Sequence, residues 1–339
     1  MGNNGNRKNG GLIITRTPLR VSFAGGGTDL PAFYQHEYGA VFSTAIDKYV
    51  YVTVKRHGEL FDEPIRLNYS ETELVDQIDE IENSIARECL RLLEIEPPVY
   101  ISTAADIPGS SGLGSSSSFA VGLLNALHAY RGERVSAGQL AEEAAHVEVD
   151  VLQRPMGKQD HYAAAYGDLN FFRFLPDGTV SVESQHLPNG TFGHLFDHIM
   201  MFWTGLTRDS SSVLSEQKRN TDRKMEELLT IRGHALKLKA LVSNGFDIAS
   251  FGSVLDDTWQ IKRQLASTIS NGKVDEWYSA AMKAGAFGGK LCGAGGGGFL
   301  LFIVPPERQK AVQDALAELR EIEVGYEVQG SRLLFPSTE

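Results

Sequence analysis

Several features are scarce or absent in this chain, and each absence excludes a class of protein. The 339 residues include only two cysteines, Cys89 and Cys292, which provide neither a disulfide framework nor the spacing of a metal site, so both are expected to be reduced. No apolar run approaches the roughly twenty residues needed to span a bilayer, and the polar N-terminus lacks the apolar region of a signal peptide. We therefore expect a cytoplasmic protein with no membrane partner.

Basic residues are also sparse. Lysine and arginine total 32 against 43 aspartates and glutamates, which gives a net charge of −11, and no long basic run occurs, so a nucleic-acid partner is not expected. In such an acidic protein, a phosphorylated substrate must be captured by local arginines and lysines. The hydrophobic fraction of 42% and the length suffice for a core shared by two domains.

A Walker A loop is missing, because no glycine is followed after four residues by Gly-Lys-Ser/Thr. In its place stands Pro108-Gly-Ser-Ser-Gly-Leu-Gly-Ser-Ser-Ser-Ser118. Glycines let backbone N–H groups approach an anion, and the first turn of a following helix adds unpaired N–H groups and the positive end of its dipole. Phe119, Leu123 and Leu127 recur at helical spacing. The sequence predicts a phosphate-binding loop at a helix N-terminus rather than a flexible Gly/Ser linker.

This loop holds no lysine, so its cation and catalytic groups must come from elsewhere. The segment Thr17–Asp29 indicates a strand followed by a glycine turn, and a guanidinium at Arg20 in its apolar part is expected to face an anion or a carboxylate. A helix from about Ser136 delivers Glu148, and a Pro/Gly break leads to Asp160. One acid could hold a metal while the other handles the proton of an attacking hydroxyl. Structural roles, such as a solvated helix carboxylate or a helix N-cap, remain the alternatives.

A second glycine run, Gly293–Gly298, formally satisfies the dinucleotide-binding pattern G-x-G-x-x-G. It follows the helix-like run Val274–Phe287 and opens the strand-like run Phe299–Val304, the reverse of the order in a Rossmann fold. Gly25–Gly27 also fails the pattern, since Leu30 stands where the third glycine belongs. A nicotinamide-dependent dehydrogenase is therefore disfavoured.

Taken together, these segments resemble the GHMP small-molecule kinases, named for galactokinase, homoserine kinase, mevalonate kinase and phosphomevalonate kinase. The resemblance spans about residues 12 to 304, and Lys290–Val304 is similar to the family's C-terminal glycine motif. It implies an α+β fold with an S5-like N-terminal domain, a ferredoxin-like C-terminal domain and the active site between them. It also implies ATP as co-substrate and Mg²⁺ as cofactor.

Within the family, three strings resemble those of bacterial heptose kinases: Pro18–Asp29, Gly157–Ala165 and Trp203–Gln217. The resemblance implies phosphorylation of the anomeric hydroxyl of a heptose 7-phosphate to the 1,7-bisphosphate, in nucleotide-activated heptose synthesis for lipopolysaccharide or capsule. Galactokinases have Glu-His where this chain has Gly26-Gly27, which leaves room for a bulkier sugar. A fucose- or galactose-type sugar, then a mevalonate-type acid, are the alternative substrates, and a binding module without catalysis is the alternative function.

The resemblance also implies roles for individual residues. Asp160 takes the place of the family's catalytic aspartate, as a base or an orienting group, with Arg20 as its partner, and Ser116 and Glu148 would bind Mg²⁺. The ATP-binding residues would be Pro108, Gly109, Ser110, Ser111, Gly112, Leu113, Gly114, Ser115, Ser116 and Ser117. The substrate-binding residues would be Gly26, Gly27, Thr28, Asp29, Lys158, Arg208, Gly295 and Gly296, with Lys158 and Arg208 holding the 7-phosphate.

The patterns divide the chain into three parts. Residues 1–11 are predicted to be disordered, residues 12–193 to form the N-terminal domain with the ATP-binding loop, and residues 194–339 the C-terminal domain. Strands are predicted over Gly39–Val54, Val99–Ala104, Leu169–Phe174, Phe299–Val304 and Tyr326–Phe335, and C-terminal helices over Ser211–Val242, Val254–Ile269, Val274–Phe287 and Glu307–Ile322. The sequence leaves a homo-oligomer open.

Overall fold

The computed structural model describes residues 11–58, 60–187, 191–207 and 210–335. Two sequence-based predictions concern residues outside these ranges: the disorder of residues 1–11, apart from Gly11, and the phosphate contact of Arg208. In the described part of the chain, the strands form two separate sheets, and none of the helices there is both long and apolar enough to cross a membrane.

The strands of the described part, in chain order, are β1 (Ile13–Ala24), β2 (Gly39–Arg56), β3 (Ile65–Asn68), β4 (Thr72–Val75), β5 (Val99–Ala105), β6 (Leu169–Phe174), β7 (Val180–Ser184), β8 (Ile199–Trp203), β9 (Gly288–Leu291), β10 (Phe299–Ile303), β11 (Arg320–Ile322) and β12 (Arg332–Phe335). The α-helices are α1 (Pro31–Tyr34), α2 (Ser84–Leu92), α3 (Ser115–Tyr130), α4 (Ala137–Ala145), α5 (Gln159–Tyr166), α6 (Thr191–Phe196), α7 (Ser210–Asn220), α8 (Met225–Asn244), α9 (Ile248–Lys262), α10 (Gly272–Ala284) and α11 (Pro306–Ala315). A π-helix (His146–Val151) continues α4, and 3₁₀ turns occupy Ile78–Glu80 and Asp222–Lys224.

The larger sheet has the strand order β12-β1-β2-β5-β3-β4, and β6 and β7 extend it from the first part of β2. The β1–β2 register shifts after Pro18, where the missing N–H removes a ladder hydrogen bond. It shifts again between Ser22 and Ala24. Such irregularities bend a strand and redirect its side chains, and Arg20 lies on the segment between them.

Helix α3 packs against β1 and β2, and its residues Ser117–Leu124 are buried. Gly122 makes the close approach possible, because a Cβ there would lie 2.6 Å from the hydroxyl of Thr17. The hydroxyl of Thr15 donates to the carbonyl of Gly122 at 2.8 Å. This packing holds α3, and with it the predicted phosphate loop, against β1.

The smaller sheet is antiparallel with the order β11-β8-β10-β9. Helix α9 packs on β9, and α10 packs on α11. Their shared core includes Phe202, Trp259 and Phe302. Two sheets with their own helices confirm the predicted α+β class.

The helix predicted over Ser211–Val242 is interrupted. The hydroxyl of Thr221 donates to the carbonyl of Gln217 at 3.2 Å, and a 3₁₀ turn then separates α7 from α8. A threonine hydroxyl that competes for helix carbonyls in this way favours a break, which the continuous apolar pattern did not reveal.

Two other predicted helices end early. The helix expected over Val254–Ile269 ends with α9 at Lys262, and the amide and hydroxyl of Ser267 instead bind Glu216 at 2.9 and 3.1 Å. The helix expected over Glu307–Ile322 ends with α11, because the next residues form β11 on the edge of β8. In both cases tertiary contacts override local helix propensity.

The last strand joins the larger sheet. β12 is shorter than the predicted run Tyr326–Phe335 and pairs antiparallel with β1. β12 therefore belongs to the larger sheet, although it follows the smaller-sheet strands β8 to β11 in the chain.

Candidate active site

The sequence motifs meet at one cavity of about 380 Å³. Its wall combines the phosphate loop, β1, the glycine turn that follows β1, the bend before α5, helix α7 and the C-terminal glycine run. Because the wall includes Arg20 on β1 of the larger sheet and Lys290 on β9 of the smaller sheet, the cavity lies where the two sheets meet.

The phosphate loop presents a helix N-terminus to this cavity. Gly112 and Gly114 have φ values of +82° and +77°, a conformation that glycine adopts without steric cost, and Gly114 is the N-cap of α3. Ser110, Ser115 and Ser116 also line the cavity. Unpaired N–H groups and the helix dipole therefore face the cavity, as phosphate binding requires.

Other residues of the loop point elsewhere. Ser111, Leu113 and Ser117 are buried, and the carbonyl of Leu113 accepts a hydrogen bond from the backbone of Arg20 at 3.1 Å. Of the residues proposed to bind ATP, these three turn their side chains into the protein, so any contact they make with a nucleotide would involve their backbone.

A second cavity, of about 570 Å³, adjoins the start of the loop and is lined by Pro108 and Gly109. Tyr69 and Phe119 contribute apolar walls, and the buried hydroxyl of Thr103 has no hydrogen-bond partner among the described residues. An apolar cleft with few polar groups suits a nucleotide base. Sequence analysis assigned no residues to the base.

Glu148 lies in the π-helix and is completely buried. One carboxylate oxygen accepts hydrogen bonds from Ser116 at 2.5 Å and Arg154 at 2.6 Å, and the other from Ser117 at 3.0 Å, with His161 at 2.9 Å. Burial alone would raise the pKa of Glu148, but the contacts with His161 and Ser116 and the charge of Arg154 lower it to about 2. The side chain is therefore a carboxylate at any physiological pH.

The residues proposed to hold Mg²⁺ have suitable chemistry. Ser116 and Glu148 offer hydroxyl and carboxylate oxygens, the hard ligands that Mg²⁺ prefers, and Mg²⁺ in kinases takes few protein ligands besides water and substrate phosphates. The described residues contain no cluster of three or more histidines, cysteines or acids able to hold a metal alone. Arg154 neutralises Glu148 in this structure, so a cation at Glu148 would compete with that guanidinium.

Arg20 and Asp160 form a two-point ion pair that lines the cavity. The Nε and Nη2 atoms of Arg20 donate to the two oxygens of Asp160, each at 2.7 Å, and Nη1 donates to the carbonyl of Gly112 at 2.8 Å. Burial would lower the pKa of Arg20, but the Asp160 carboxylate raises it. The guanidinium therefore links the candidate catalytic acid to the phosphate loop.

Asp29 also lines the cavity and is almost fully buried. Its carboxylate accepts hydrogen bonds from the backbone of Gly27 at 2.9 Å and from the side chain of Gln159 at 2.9 Å. Burial and the nearby charge of Asp160 raise the pKa of Asp29. Gly26 and Gly27 line the same region.

Three residues proposed for substrate binding are not brought to the cavity wall. The amine of Lys158 binds Glu142 at 3.0 Å and the carbonyl of Gly178 at 3.2 Å. The hydroxyl of Thr28 is buried and donates to the carbonyl of Gly25 at 2.8 Å. Gly296, unlike Gly295, lies behind the wall. Lys158 and Thr28 therefore have hydrogen-bond partners within the protein in this structure.

Sequence analysis assigned no role to several residues of the cavity wall, among them Gln217 on α7, Lys262 at the end of α9 and Lys290 on β9. Both lysines are more than nine-tenths buried, which is rare for lysine. Lys290 is the first residue of the C-terminal glycine motif, and this position could have indicated that it belongs to the site. Gln217 is the last residue of the string Trp203–Gln217 that carried part of the family resemblance. Lys262 lies in an ordinary amphipathic helical pattern that gives no such signal.

Comparison with known proteins agrees with this geometry. The model of the GHMP kinases N terminal domain matches residues 74–168, and that of the GHMP kinases C terminal region matches residues 237–321. A D-glycero-alpha-D-manno-heptose 7-phosphate kinase of Campylobacter jejuni is 28% identical over 315 residues, which cover 90% of this chain and 93% of the relative.

Solved structures have the same fold. One titled a D-glycero-D-manno-heptose 1-phosphate kinase, from Bacteroides thetaiotaomicron, has a TM-score of 0.78 at 24% identity and covers 95% of this chain and 99% of its own. A putative sugar kinase of Campylobacter jejuni has a TM-score of 0.74 at 26% identity and covers 97% and 99%. The two family models together span more than half of the chain and include the phosphate loop, Glu148, Asp160 and the C-terminal glycine run. The chain belongs to the GHMP kinases, as its motifs indicated.

Proposed function

We propose that this kinase transfers the γ-phosphoryl group of ATP to the anomeric hydroxyl of a heptose 7-phosphate, giving the 1,7-bisphosphate. The observation that carries the proposal is the Arg20–Asp160 ion pair at the cavity. Arg20 also binds Gly112 of the phosphate loop, and Asp160 directly follows Gln159, which binds Asp29. A kinase needs this order of parts, because the acceptor hydroxyl must meet the terminal phosphate in line. Similarity to the Campylobacter heptose 7-phosphate kinase supports a sugar as acceptor.

Unpartnered polar atoms around Asp29 favour a polyol acceptor. The hydroxyl of Ser22, Oε1 of Gln159 and Nε2 of Gln217 are buried without hydrogen-bond partners among the described residues, and all three residues line the cavity. An unsatisfied buried polar group costs about 1–3 kcal/mol. A sugar with several hydroxyls can satisfy donors and acceptors at once, whereas an apolar acceptor cannot.

The glycine turn leaves space for the acceptor. A Cβ at Gly26 would make only ordinary contacts, the nearest being Gln159 at 3.5 Å, whereas a Cβ at Gly27 would lie 2.2 Å from Nε2 of Gln217. A larger residue at position 27 would therefore displace the amide of Gln217. This arrangement agrees with a bulkier sugar than the galactose of galactokinases.

The chemistry follows from positions and charge. The oxygen of the anomeric hydroxyl bonds to the γ-phosphorus, the bond from phosphorus to the bridging oxygen of ADP breaks, and the hydroxyl proton passes to Asp160 or to water oriented by it. Arg20 holds the side chain of Asp160 in place through two hydrogen bonds and places positive charge beside the phosphoryl group. Mg²⁺ held by Ser116 and Glu148 would supply neutralisation of the phosphate oxygens. The base of ATP would occupy the cavity next to Pro108.

The acceptor's own phosphate needs a basic partner. Arg208 remains our candidate, because it precedes the first residue of α7 and a helix N-terminus attracts anions. Replacement of Arg208 by methionine is expected to raise KM for a heptose 7-phosphate far more than KM for ATP. An unchanged sugar KM would remove Arg208 from the site.

A substrate panel tests the function directly. ADP release with ATP and Mg²⁺ is measured for heptose 7-phosphate, unphosphorylated heptose, fucose, galactose and mevalonate, and the product is examined by ³¹P NMR. We expect the highest kcat/KM with heptose 7-phosphate and a new anomeric phosphate signal. A higher kcat/KM with fucose or galactose would replace the heptose proposal with a fucokinase- or galactokinase-like activity.

A further inference from the structure

Two buried lysines face the cavity without a carboxylate partner. Lys262 and Lys290 are 7% and 2% exposed, and both line the cavity. Lys262 donates to the carbonyl of Gly293 at 2.5 Å, and Lys290 to that of Ser22 at 2.5 Å. Neither forms a salt bridge in the described part of the chain. A buried ion costs several kcal/mol unless an opposite charge compensates it, and a single carbonyl dipole does not replace a full counter-charge.

The other cations of the cavity are already paired. Arg20 is held by Asp160, and Arg154 by Glu148. Asp29 is the remaining acid on the wall, and its hydrogen bonds come from the backbone of Gly27 and from Gln159 rather than from a lysine. The excess positive charge of Lys262 and Lys290 is therefore available to an anion that enters the cavity.

The contacts of the two lysines fix where that anion would lie. Lys290 binds the carbonyl of Ser22, two residues after Arg20 on β1. Lys262 binds the carbonyl of Gly293, and a Cβ on Gly293 would lie only 2.4 Å from the Cα of Gly112 in the phosphate loop. Since the guanidinium of Arg20 also binds Gly112, the two lysines and Arg20 surround the place where the phosphate loop meets the catalytic pair.

We propose that Lys262 and Lys290 bind the phosphoryl group in transfer, where the phosphate loop meets Arg20 and Asp160. This inference rests on the proposed phosphoryl transfer and adds two catalytic residues to it. A phosphoryl group in transfer spreads negative charge over three oxygens, and fixed cations in a water-poor site stabilise it strongly. The pKa values agree: burial lowers the pKa of Lys262 to about 8 and that of Lys290 to about 7, which an anion would reverse.

Nucleotide binding tests the proposal without any sugar. The dissociation constants of ATP and ADP are measured by calorimetry for Lys262→Met, Lys290→Met and a control, Lys310→Met, whose side chain is 79% exposed. A contact with the terminal phosphate predicts that each cavity variant loses about tenfold in ATP affinity, while ADP affinity changes less than about twofold. The control keeps both affinities. Equal losses for ATP and ADP would contradict the proposal, because they would place the lysines on the inner phosphates.

Turnover provides the second measurement. We expect kcat to fall by about 10²-fold in each variant, with phosphorylated and unphosphorylated sugars alike. A loss confined to KM for the phosphorylated sugar would instead assign the lysines to the acceptor's own phosphate. If the parent enzyme turned over none of the sugars, the proposed function would fail, and the ATP-to-ADP affinity ratio alone would decide the role of the lysines.

Thermal unfolding separates this role from a structural one. Lys290 bridges the two sheets through Ser22, so a purely structural lysine predicts a lower Tm of the ligand-free Lys290→Met variant and unchanged nucleotide preference. If Lys290 instead carries an uncompensated charge that binds the phosphoryl group, Lys290→Met should have an unchanged or higher Tm, because the buried charge is removed. The same variant should lose its preference for ATP over ADP. A lower Tm with the ATP preference and kcat retained would overturn the proposal.

Discussion

The side chains of Arg20 and Asp160, 140 residues apart in the chain, meet in two parallel hydrogen bonds of 2.7 Å each. A planar guanidinium in this two-point geometry fixes the position of the carboxylate. The carboxylate therefore cannot rotate freely toward other partners. It is held in one orientation at the wall of the cavity. This is the arrangement expected of a group that orients a hydroxyl or accepts its proton.

The first prediction concerns Asp160. Asp160→Asn preserves the shape of the side chain but removes its charge, so kcat should fall by about 10²-fold or more, the usual effect of removing a positioned acid–base group. ATP affinity should change little, because the contacts of Asp160 are with Arg20. Steady-state kinetics with saturating ATP, and calorimetry for the nucleotide, measure the two effects.

A double variant tests whether the pair acts as a unit. If it does, Asp160→Asn/Arg20→Met will be scarcely worse than the poorer single variant. Asp150→Asn is a suitable control, since Asp150 is exposed and its partner is His146. Full additivity of the two losses, or near-parental kcat in Asp160→Asn, would show that the carboxylate is structural.

The second prediction concerns Mg²⁺. Ser116→Ala and Glu148→Gln each remove an oxygen ligand of a hard cation, so the Mg²⁺ concentration for half-maximal activity should rise, by about tenfold for the loss of the carboxylate. Circular dichroism should show that the fold is retained. Activity is measured at fixed ATP over a series of Mg²⁺ concentrations.

Glu142→Gln is the matched control for Glu148→Gln. Glu142 is half-exposed and binds Lys158, so its loss should leave the Mg²⁺ dependence unchanged. Parental turnover of Ser116→Ala or Glu148→Gln at limiting Mg²⁺ would remove that residue from the proposed metal site.

Sequence patterns identified the parts of the molecule that are encoded locally. The glycines and serines before α3 indicated a phosphate loop because the loop and the helix are contiguous in the chain. Arg20 could be expected to face an anion or a carboxylate, because a guanidinium in an apolar strand needs a negative partner. That the acid is Asp160 came from the family resemblance, and the structure brings the two side chains together.

Sequence patterns could not identify features that depend on contacts between distant parts of the chain. Lys262 has nothing in its helical neighbourhood to distinguish it from a surface lysine, and it is buried only because the glycine run folds over the end of α9. Lys158 flanks a motif yet turns toward Glu142, since side-chain direction depends on the packing of α5. β12 joins β1 across most of the chain length, a pairing that no local pattern specifies.

The third prediction concerns the contact between the two glycine-rich loops. A Cβ at Gly112 would lie 2.6 Å from the carbonyl oxygen of Cys292, and the φ of Gly112 is +82°. Gly112→Ala should therefore lower the free energy of unfolding by at least about 1 kcal/mol and weaken ATP binding. Gly109→Ala is the control within the same loop, because no atom lies within 4 Å of a Cβ there. Urea denaturation measures the free energy of unfolding of both variants. Equal effects would mean that the close contact between the two loops does not contribute to stability.

The fourth prediction is a pH dependence that arises from Lys290. Burial and the neighbouring charges of Lys262 and Arg20, opposed by Cys292, together lower its pKa from 10.5 to about 7. Between about pH 7 and pH 10.5, the amine of Lys290 is protonated in the unfolded chain and neutral in the folded protein. The free energy of unfolding must therefore rise with pH across this window through Lys290, and the destabilisation by its buried charge is fully present below about pH 7.

Comparison with Lys290→Met isolates this contribution, because the other titrating groups are common to both proteins. The free energy of unfolding of the parent minus that of the variant should increase as the pH rises from about 7 to about 9.5, measured by urea denaturation without nucleotide. Lys310→Met, in which an exposed lysine is lost, should give a flat difference. If ATP places its terminal phosphate beside Lys290, saturating ATP should also flatten the difference, because the bound anion keeps the amine protonated. A difference that does not vary with pH in the ligand-free protein would mean that Lys290 keeps its proton in the fold, and that a counter-charge near it is already in place.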